Sequence, residues 1–381
     1  MTLDFLPYGR QAIDDDDVAA VSAALRRDLI TQGPTIDEFE RAFASHVGAA
    51  HAVAFANGTA ALHGAAAAAG IGEGDEVITT PLSFVASSNC VLYHGGRPRF
   101  IDVDPATWNL DTAAAARAVS DSTRAIVAVS LTGLPVDLEP LRELRDRVTV
   151  IEDASHALGA VRAGARVGGP GGADMTTFSL HPVKSMTTGE GGIVTTESQE
   201  LADHLRRFRT HGISRDPARR TELDGDWYYD VEELGFNYRI TDFQAALGVS
   251  QLRHLEDWVQ ARNQIADWYR ELLGDESRIA LPPVAPNGSR HAYHLFVIRI
   301  LEGAERRLSV FQGLRAARIG VQLHYIPIYR FSYYRDTLGY PQDQWPAAEE
   351  YYAGAISLPM FPALTRSGVK RVVAELRRLL D

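Results

Sequence analysis

Between Asp174 and Val194 the chain reads DMTTFSLHPVKSMTTGEGGIV, and the rest of the sequence is best read around this stretch. Met175 to Leu180 is a β-type run and Ile193 to Thr196 is a second, because β-branched residues suit a pleated, half-buried surface. Between them lie a single lysine, Lys184, and a polar Gly-rich turn from Thr187 to Gly192. A lysine between two apolar strands is poorly placed for solvent, and burial lowers an ammonium pKa toward the nucleophilic free amine. Schiff-base chemistry requires such an amine. Taken alone, the stretch favours a solvated lysine at a hairpin tip; the surrounding chain changes that balance.

At 381 residues the chain exceeds one ordinary core, so two domains are expected. A net charge of -11 argues against general nucleic-acid binding or attachment to an anionic membrane, both of which need basic surface. It does not exclude an anionic small molecule, which a few local groups can hold. The one cysteine, Cys90, excludes an internal disulfide framework and fits a reducing compartment. With no apolar run long enough for a membrane span and no signal-peptide-like start, a cytoplasmic protein is expected.

The run Asp14 to Asp17 stands before Val18, Val21 and Leu25, which fall at helical spacing. Acidic residues in a first turn complement the helix dipole, so a capping role is expected rather than a metal site. After the Thr31-Gln32-Gly33-Pro34 loop, Phe39, Phe43 and Val47 mark a helix face closed by Gly48. His51 to Ala56 is a buried-strand pattern running into Asn57-Gly58-Thr59 and an Ala-rich helix through Ala69. A strand, a Gly-Thr turn and a helix N-terminus together offer a phosphate free backbone N–H groups and a positive dipole end. An ordinary capped helix has the same local wording. Gly70 to Gly74 follows a helix and precedes a strand, the wrong order for a dinucleotide loop, and reads as a helix stop.

Further strands are expected at Asp75 to Thr80, Arg99 to Val103, Arg124 to Ser130 and Val148 to Glu152, with helical patterns between them such as Leu138 to Arg147. The alternation implies an α/β fold with a largely parallel sheet covered on both faces, and ligands at the carboxyl ends of its strands. Phe84, at the mouth of a strand-to-helix turn, is either a stacking aromatic or core. Asp153 emerges at a strand tip, where an acid needs a cationic partner or donors. Leu201, Leu205 and Phe208 mark a helix ahead of His211 and a polar, aromatic-rich loop with Trp227, Tyr228 and Tyr229. From Thr241 one helical pattern runs to about Leu273. Beyond it come a strand (Tyr293 to Ile300), a helix near Arg306 to Ala317, and an amphipathic closing helix carrying Val369, Val372, Val373, Leu376 and Leu379. The expected division is a large α/β domain over 1–250 and a small α+β domain over 251–381.

Read together, NGTAAL, TTPLSFVASSN, EDASHALGA, FSLHPVKSMTTGEGG, THGI, GFNYRITDFQAALG and HYIPIY resemble the DegT/DnrJ/EryC1/StrS-type nucleotide-sugar aminotransferases. The resemblance extends from the Thr31 loop to the C-terminal helix. It implies the pyridoxal-phosphate-dependent transferase fold type I, with a mostly parallel seven-stranded sheet flanked by helices and a smaller α+β C-terminal domain. Within the family, SHALGA, the His-Pro before Lys184, and HYIPIY are most similar to the branch that aminates a UDP-linked 4-keto-6-deoxy sugar in pseudaminic-acid biosynthesis. Members acting on a UDP-4-ketopentose share much of this wording, and dTDP- or GDP-linked 4-keto-6-deoxyhexoses are alternative substrates. Ser130-Leu131-Thr132-Gly133 departs from the family pattern, which has an acidic or aromatic residue near an Ala-Gly pair there.

The resemblance also implies a role for each matching residue. Lys184 anchors pyridoxal phosphate covalently and then shuttles protons; Asp153 pairs with the pyridine nitrogen and keeps it protonated. His156 lies near the cofactor's phenolic oxygen or against its ring, and Phe84 stacks on the ring face. Gly58, Thr59 and Ser179 hold the phosphate. Asn237 reaches the phosphate of a neighbouring subunit, which implies a homodimer with shared active sites. Glutamate is the implied amino donor, and no metal is implied. Arg239, His324 and Tyr325 are candidates for sugar or nucleotide contacts, each with a structural alternative; Thr187, Glu190 and His211 are left without an assigned role. Sugar dehydratases of the same fold carry histidine in place of Lys184, and a non-catalytic binding protein would lack Lys184 or Asp153. Both readings are disfavoured by the residues present.

Overall fold

The β-branched and alanine-rich runs of the first half build one sheet. Its strands are β1 (His51–Phe55), β2 (Glu76–Thr79), β3 (Arg97–Phe100), β4 (Thr123–Val129) and β5 (Thr149–Asp153). After a short hairpin, β6 (Val161–Arg162) with β7 (Ala165–Arg166), come β8 (Met175–Ser179) and β9 (Gly192–Thr196). The seven-stranded order is β1-β9-β8-β5-β4-β2-β3. All neighbours are parallel except β9, which runs antiparallel to both β1 and β8. The structure is a computed structural model, and it describes residues 4–214, 225 and 227–381. Residues 1–3, and residues 215–224 and 226 of the aromatic-rich loop, lie outside the described residues.

Period-two alternation gives the sheet two buried faces. Ala52, Ala54, Phe178 and Ile193 point to one layer, where α2 (Pro34–Val47) and α7 (Asp242–Leu252) pack. Val53, Phe55, Met175 and Val194 point to the other, under α3 (Gly58–Ala68), α4 (Ala86–Leu92) and α6 (Gln199–Phe208). Phe39 and Phe43 of α2 are fully buried, each contributing roughly 1.5–3 kcal/mol by leaving water. Gly48 closes α2 in the left-handed region at φ 86°, as a C-terminal glycine should. Asp14 caps α1 (Asp15–Ala24) in a reciprocal box with Asp17, the expected role for the acidic run.

The C-terminal part has its own antiparallel sheet of β12 (Ile279–Ala280), β13 (Phe296–Ile300) and β14 (Ala355–Leu358), after the small pair β10 (Ile213–Ser214) and β11 (Asp230–Val231). On it lie α9 (Ala304–Ala316) and α11 (Arg366–Leu380), burying Val310, Leu314, Val369, Val372 and Leu376. The connector α8 (Leu255–Leu273) belongs to two cores. Leu255 and Val259 pack under the main sheet, whereas Ile265, Tyr269 and Leu273 pack in the C-terminal core. A further core joins Phe100, Trp108 and Leu131 of the first part to Tyr329, Tyr334 and Trp345 of the second. Among the described residues no helix is long and apolar enough to cross a membrane.

Four sequence expectations need correction. The strand expected at Arg99 to Val103 is displaced to Arg97–Phe100. It lies at the sheet edge, where Pro98 is tolerated because one row of backbone donors there is unpaired. Leu138 to Arg147 is not α-helical; Glu139–Leu144 forms a 3-10 helix with Pro140 in its first turn. The single helical pattern from Thr241 to Leu273 breaks at Arg253-His254 into α7 and α8, with Leu252 and Leu255 on either side of the break still in one core. The strand expected from Tyr293 starts only at Phe296, because Tyr293 takes a positive φ of 45° that no strand accommodates.

Candidate active site

A cavity of about 600 Å³ opens at the carboxyl ends of β1, β4, β5 and β8. Strand carboxyl ends are where wound sheets bind ligands. Gly58, Thr59, Phe84, Asp153, His156, Ser179, Lys184, His324 and Tyr325 all line it. Nine residues spread over more than 260 positions of sequence therefore share one concave surface. Of the remaining sequence candidates, Asn237 is exposed and bridges Thr210, and it does not reach this cavity. Arg239 lines a separate cavity of about 430 Å³ with Gln32, Asp37 and Arg209, so no sugar contact to this cavity comes from Arg239 of the same chain. The preceding residues Phe236 and Tyr238 donate backbone N–H groups to Phe208 and Arg209, and Tyr238 itself lines the main cavity. His211 also lies outside, with its N–H donating to the Phe236 carbonyl.

Lys184 sits in the connection between β8 and β9, which pair in register with Ser179 opposite Gly192. The connection is clamped. Thr187 Oγ1 donates to the Leu180 carbonyl at 2.9 Å and accepts from the Gly189 N–H at 2.9 Å, while its own N–H donates to Gln251. Thr187 thus has a structural role that the sequence left open. Thr188 Oγ1 and the Gln244 amide both donate to the Glu190 carbonyl, and the Glu190 residue lines the cavity. Half-buried and stripped of most water, the Lys184 amine falls to a pKa of about 8; Asp153 opposes the shift, with burial the larger effect.

Asp153 leaves the end of β5 with both carboxylate oxygens engaged. Oδ1 accepts from the Ser155 N–H at 3.1 Å, and Oδ2 accepts from the Ser87 hydroxyl at 2.6 Å. Beside it, His156 Nδ1 accepts from the Thr132 N–H at 3.2 Å. In a neutral ring this acceptance leaves the proton on Nε2, which donates to the Tyr325 hydroxyl oxygen at 3.0 Å. The Tyr325 proton is then free to be directed into the cavity. Burial, followed by the nearby Lys184 charge, holds His156 well below the ordinary histidine range and His324 at about 4. Burial also raises the Tyr325 phenol. The site therefore holds the neutral imidazoles of His156 and His324 and the neutral phenol of Tyr325 around the Lys184 amine and Asp153.

At the opposite wall, the Asn57 side chain caps α3 by accepting from Ala60 N–H at 2.8 Å, leaving Gly58 and Thr59 at the first turn. A β carbon on Gly58 would lie 2.8 Å from the Ser179 β carbon, and one on Gly192 only 2.3 Å from the Asn57 carbonyl oxygen. Two glycines are thus required for the cradle to close. Phe84 is 56% exposed at the mouth, with its ring 6.1 Å from that of Tyr325, so it is not core. The sequence reading did not pick out Ser83, Ser87, Thr132 or Tyr238. Ser83 lies in the bend before α4 and Ser87 in its first turn, on either side of Phe84; Thr132 falls in the Ser130-Leu131-Thr132-Gly133 stretch that departs from the family pattern, but that departure does not disclose its N–H bond to His156.

The geometry can be set beside known proteins. The family described as the DegT/DnrJ/EryC1/StrS aminotransferase family matches residues 11–377. The spore coat polysaccharide biosynthesis protein SpsC of Bacillus subtilis is 36% identical over 381 residues, covering 99% of this chain and 97% of SpsC. Helicobacter pylori PseC, an aminotransferase involved in the biosynthesis of pseudoaminic acid, superposes with a TM-score of 0.90 at 29% identity, covering 99% of each chain. Spr1654 from Streptococcus pneumoniae, solved in a PMP-form, superposes with a TM-score of 0.91 at 27% identity, covering 98% of each chain, and is also solved in a PLP-form. A buried amine of lowered pKa, a strand-tip carboxylate and a glycine-lined helix N-terminus fit the aldehyde, ring nitrogen and phosphate of that cofactor. With the fold type I architecture and nearly the whole chain matched, the protein belongs to the pyridoxal-phosphate-dependent DegT/DnrJ/EryC1/StrS aminotransferase family.

Proposed function

We propose that the protein transfers the amino group of glutamate to the ketone of a UDP-linked 4-keto-6-deoxy sugar, giving the 4-amino sugar in the manner of pseudaminic-acid biosynthesis. The likeness to PseC, and the polysaccharide role named for SpsC, support a nucleotide-linked sugar as the acceptor. The observation that carries amino transfer is the meeting of Lys184, Asp153 and the Gly58-Thr59 helix start on one cavity.

When bound, pyridoxal phosphate supplies an electron sink for the carbon that loses or gains the amino group. Gly58 and Thr59 offer backbone N–H groups to its phosphate and Ser179 its hydroxyl. Asp153 holds a proton on the ring nitrogen by its negative charge. Lys184 Nζ, with its pKa at about 8, is partly unprotonated near neutral pH and can take a proton from the reacting carbon and return it. Phe84 covers the mouth with an aromatic face and limits water access. His156 orients Tyr325, whose hydroxyl donates into the cavity, and His324 is held by Ser357 at 2.8 Å. Asn237 acts in a second copy's cavity, so the working unit is a homodimer.

The test is spectroscopic and chemical. Purified protein supplied with pyridoxal phosphate is expected to be yellow, with a visible band that shifts on adding glutamate, and Lys184→Ala should remove turnover while keeping the fold. In a panel of UDP- and dTDP-linked 4-keto sugars, the UDP-linked 4-keto-6-deoxy sugar should be aminated fastest. A protein that stays colourless with added cofactor refutes amino transfer; faster amination of a dTDP sugar refutes the substrate.

A further inference from the structure

Ser83 and Ser87 form a buried hydroxyl chain behind the cavity wall. Ser87 Oγ lies 2.6 Å from Asp153 Oδ2, 2.8 Å from Ser83 Oγ and 3.2 Å from the Phe84 carbonyl oxygen. Ser87 is wholly inaccessible to solvent, and Ser83 lines the cavity. A hydroxyl has one proton. The carboxylate is the nearest and most strongly charged of the three acceptors, so the Ser87 proton belongs to Asp153. Ser83 must then donate to Ser87. The chain is directional, running from Ser83 through Ser87 to the carboxylate.

The consequence for Asp153 is geometric. Its Oδ1 is held by the Ser155 N–H and its Oδ2 by Ser87, on opposite sides of the group. Two donors on two oxygens prevent the carboxylate from rotating about its last torsion and leave lone pairs aimed outward. With Ser87 removed, only the Ser155 contact remains and the plane can turn. Ser87 is itself held in place, because α4 is gripped by Tyr334, whose hydroxyl donates to Asn89 Oδ1 at 2.6 Å beside Ser88.

We propose that Ser87, backed by Ser83, is a positioning residue that fixes the Asp153 carboxylate toward the ring nitrogen of the bound cofactor, and so contributes to cofactor affinity through that one atom. The inference rests on the reading of Asp153 as the partner of the ring nitrogen.

The experiment measures the affinity of the full chain, stripped of cofactor, for two ligands: pyridoxal phosphate and its 1-deaza analogue, in which carbon replaces the ring nitrogen. Wild type is expected to bind pyridoxal phosphate at least about tenfold more tightly than the analogue. A charge-assisted hydrogen bond of ordinary strength predicts that Ser87→Ala weakens pyridoxal phosphate binding about tenfold, while the analogue changes less than about twofold. Ser83→Ala, which removes only the outer donor, should lie between, and it serves as the test should Ser87→Ala fail to fold. An equal loss for both ligands, or no loss for pyridoxal phosphate, overturns the proposal while the wild-type preference still supports Asp153. Equal affinity of wild type for both ligands overturns the reading of Asp153 and the proposal with it.

Discussion

Acidification should unfold this protein over a narrow range through histidines held neutral inside it. His156, His291 and His294 are buried, and burial is the leading reason why each titrates below the ordinary value of 6.5, His291 at about 3. Their hydrogen bonds agree with this. His156 Nδ1 accepts from Thr132 N–H and His291 Nδ1 accepts from Tyr293 N–H at 2.8 Å, so a proton on either Nδ1 would face another donor. The unfolded chain takes up these protons below pH 6.5 and the folded chain does not, so stability is lost as pH falls. Each histidine contributes roughly 1.4 kcal/mol per pH unit, and three together about 4 kcal/mol per unit below pH 6. Against a typical total of about 5–15 kcal/mol, about one to four pH units should reach the unfolding transition. The measurement is the free energy of urea unfolding at half-unit steps from pH 7.5 to 5. His291→Asn keeps an acceptor for the Tyr293 N–H but cannot titrate, so its curve should converge on that of wild type by about 1.4 kcal/mol per pH unit below 6.5. Parallel curves, or a flat wild-type profile between pH 6.5 and 5, refute the reasoning.

Two substitutions elsewhere have equally definite outcomes. Gly192→Ala drives a β carbon into the Asn57 carbonyl, and β9 cannot retreat because it is laddered to β1 and β8 on either side. Thermal unfolding should show a loss of about 1–3 kcal/mol, with weaker pyridoxal phosphate binding because the Gly58 N–H shifts; unchanged affinity would count against Gly58 as a phosphate donor. Arg262 is buried and donates to the carbonyls of Tyr293, His294 and Met360, with burial lowering its pKa to about 10. Arg262→Met should cost roughly 3 kcal/mol or more in urea unfolding, as three buried acceptors lose their donor, and a neutral result would mean that water replaces it.

How far the sequence discloses this molecule depends on what kind of signal each part needs. The strands of the main sheet are legible because buried parallel strands are short β-branched runs ended by turn residues, as Arg124 to Ser130 and Val148 to Glu152 illustrate. The edge strand β3 is misplaced by two residues because Pro98 argues against a strand unless the position at the edge is known. The break between α7 and α8 carries no glycine or proline, and Leu252 and Leu255 on either side of it pack in the same core, so no local pattern marks it. Among site residues, Lys184 and Asp153 become visible only in company: alone each has a bland reading, a hairpin-tip lysine and a strand-end acid, and the other strand-end motifs change the balance. Ser87 and Thr132 are not, since a hydroxyl or a backbone N–H acquires its role only from what the fold brings within 3 Å or so. Asn237 and Arg239 look like neighbours of the site in sequence, yet Arg239 opens onto a separate cavity and Asn237 is exposed outside the main one.

The double allegiance of α8 has a mechanical consequence. One continuous rod is embedded at its start in the core beneath the main sheet and at its end in the C-terminal core, and the aromatic cluster around Phe100, Tyr334 and Trp345 fastens the two halves at a second place. Two attachments remove the freedom that a single hinge would leave. His324 and Tyr325 arrive at the cavity from one half and Lys184 and Asp153 from the other, so the double attachment fixes during folding how these four side chains face one another.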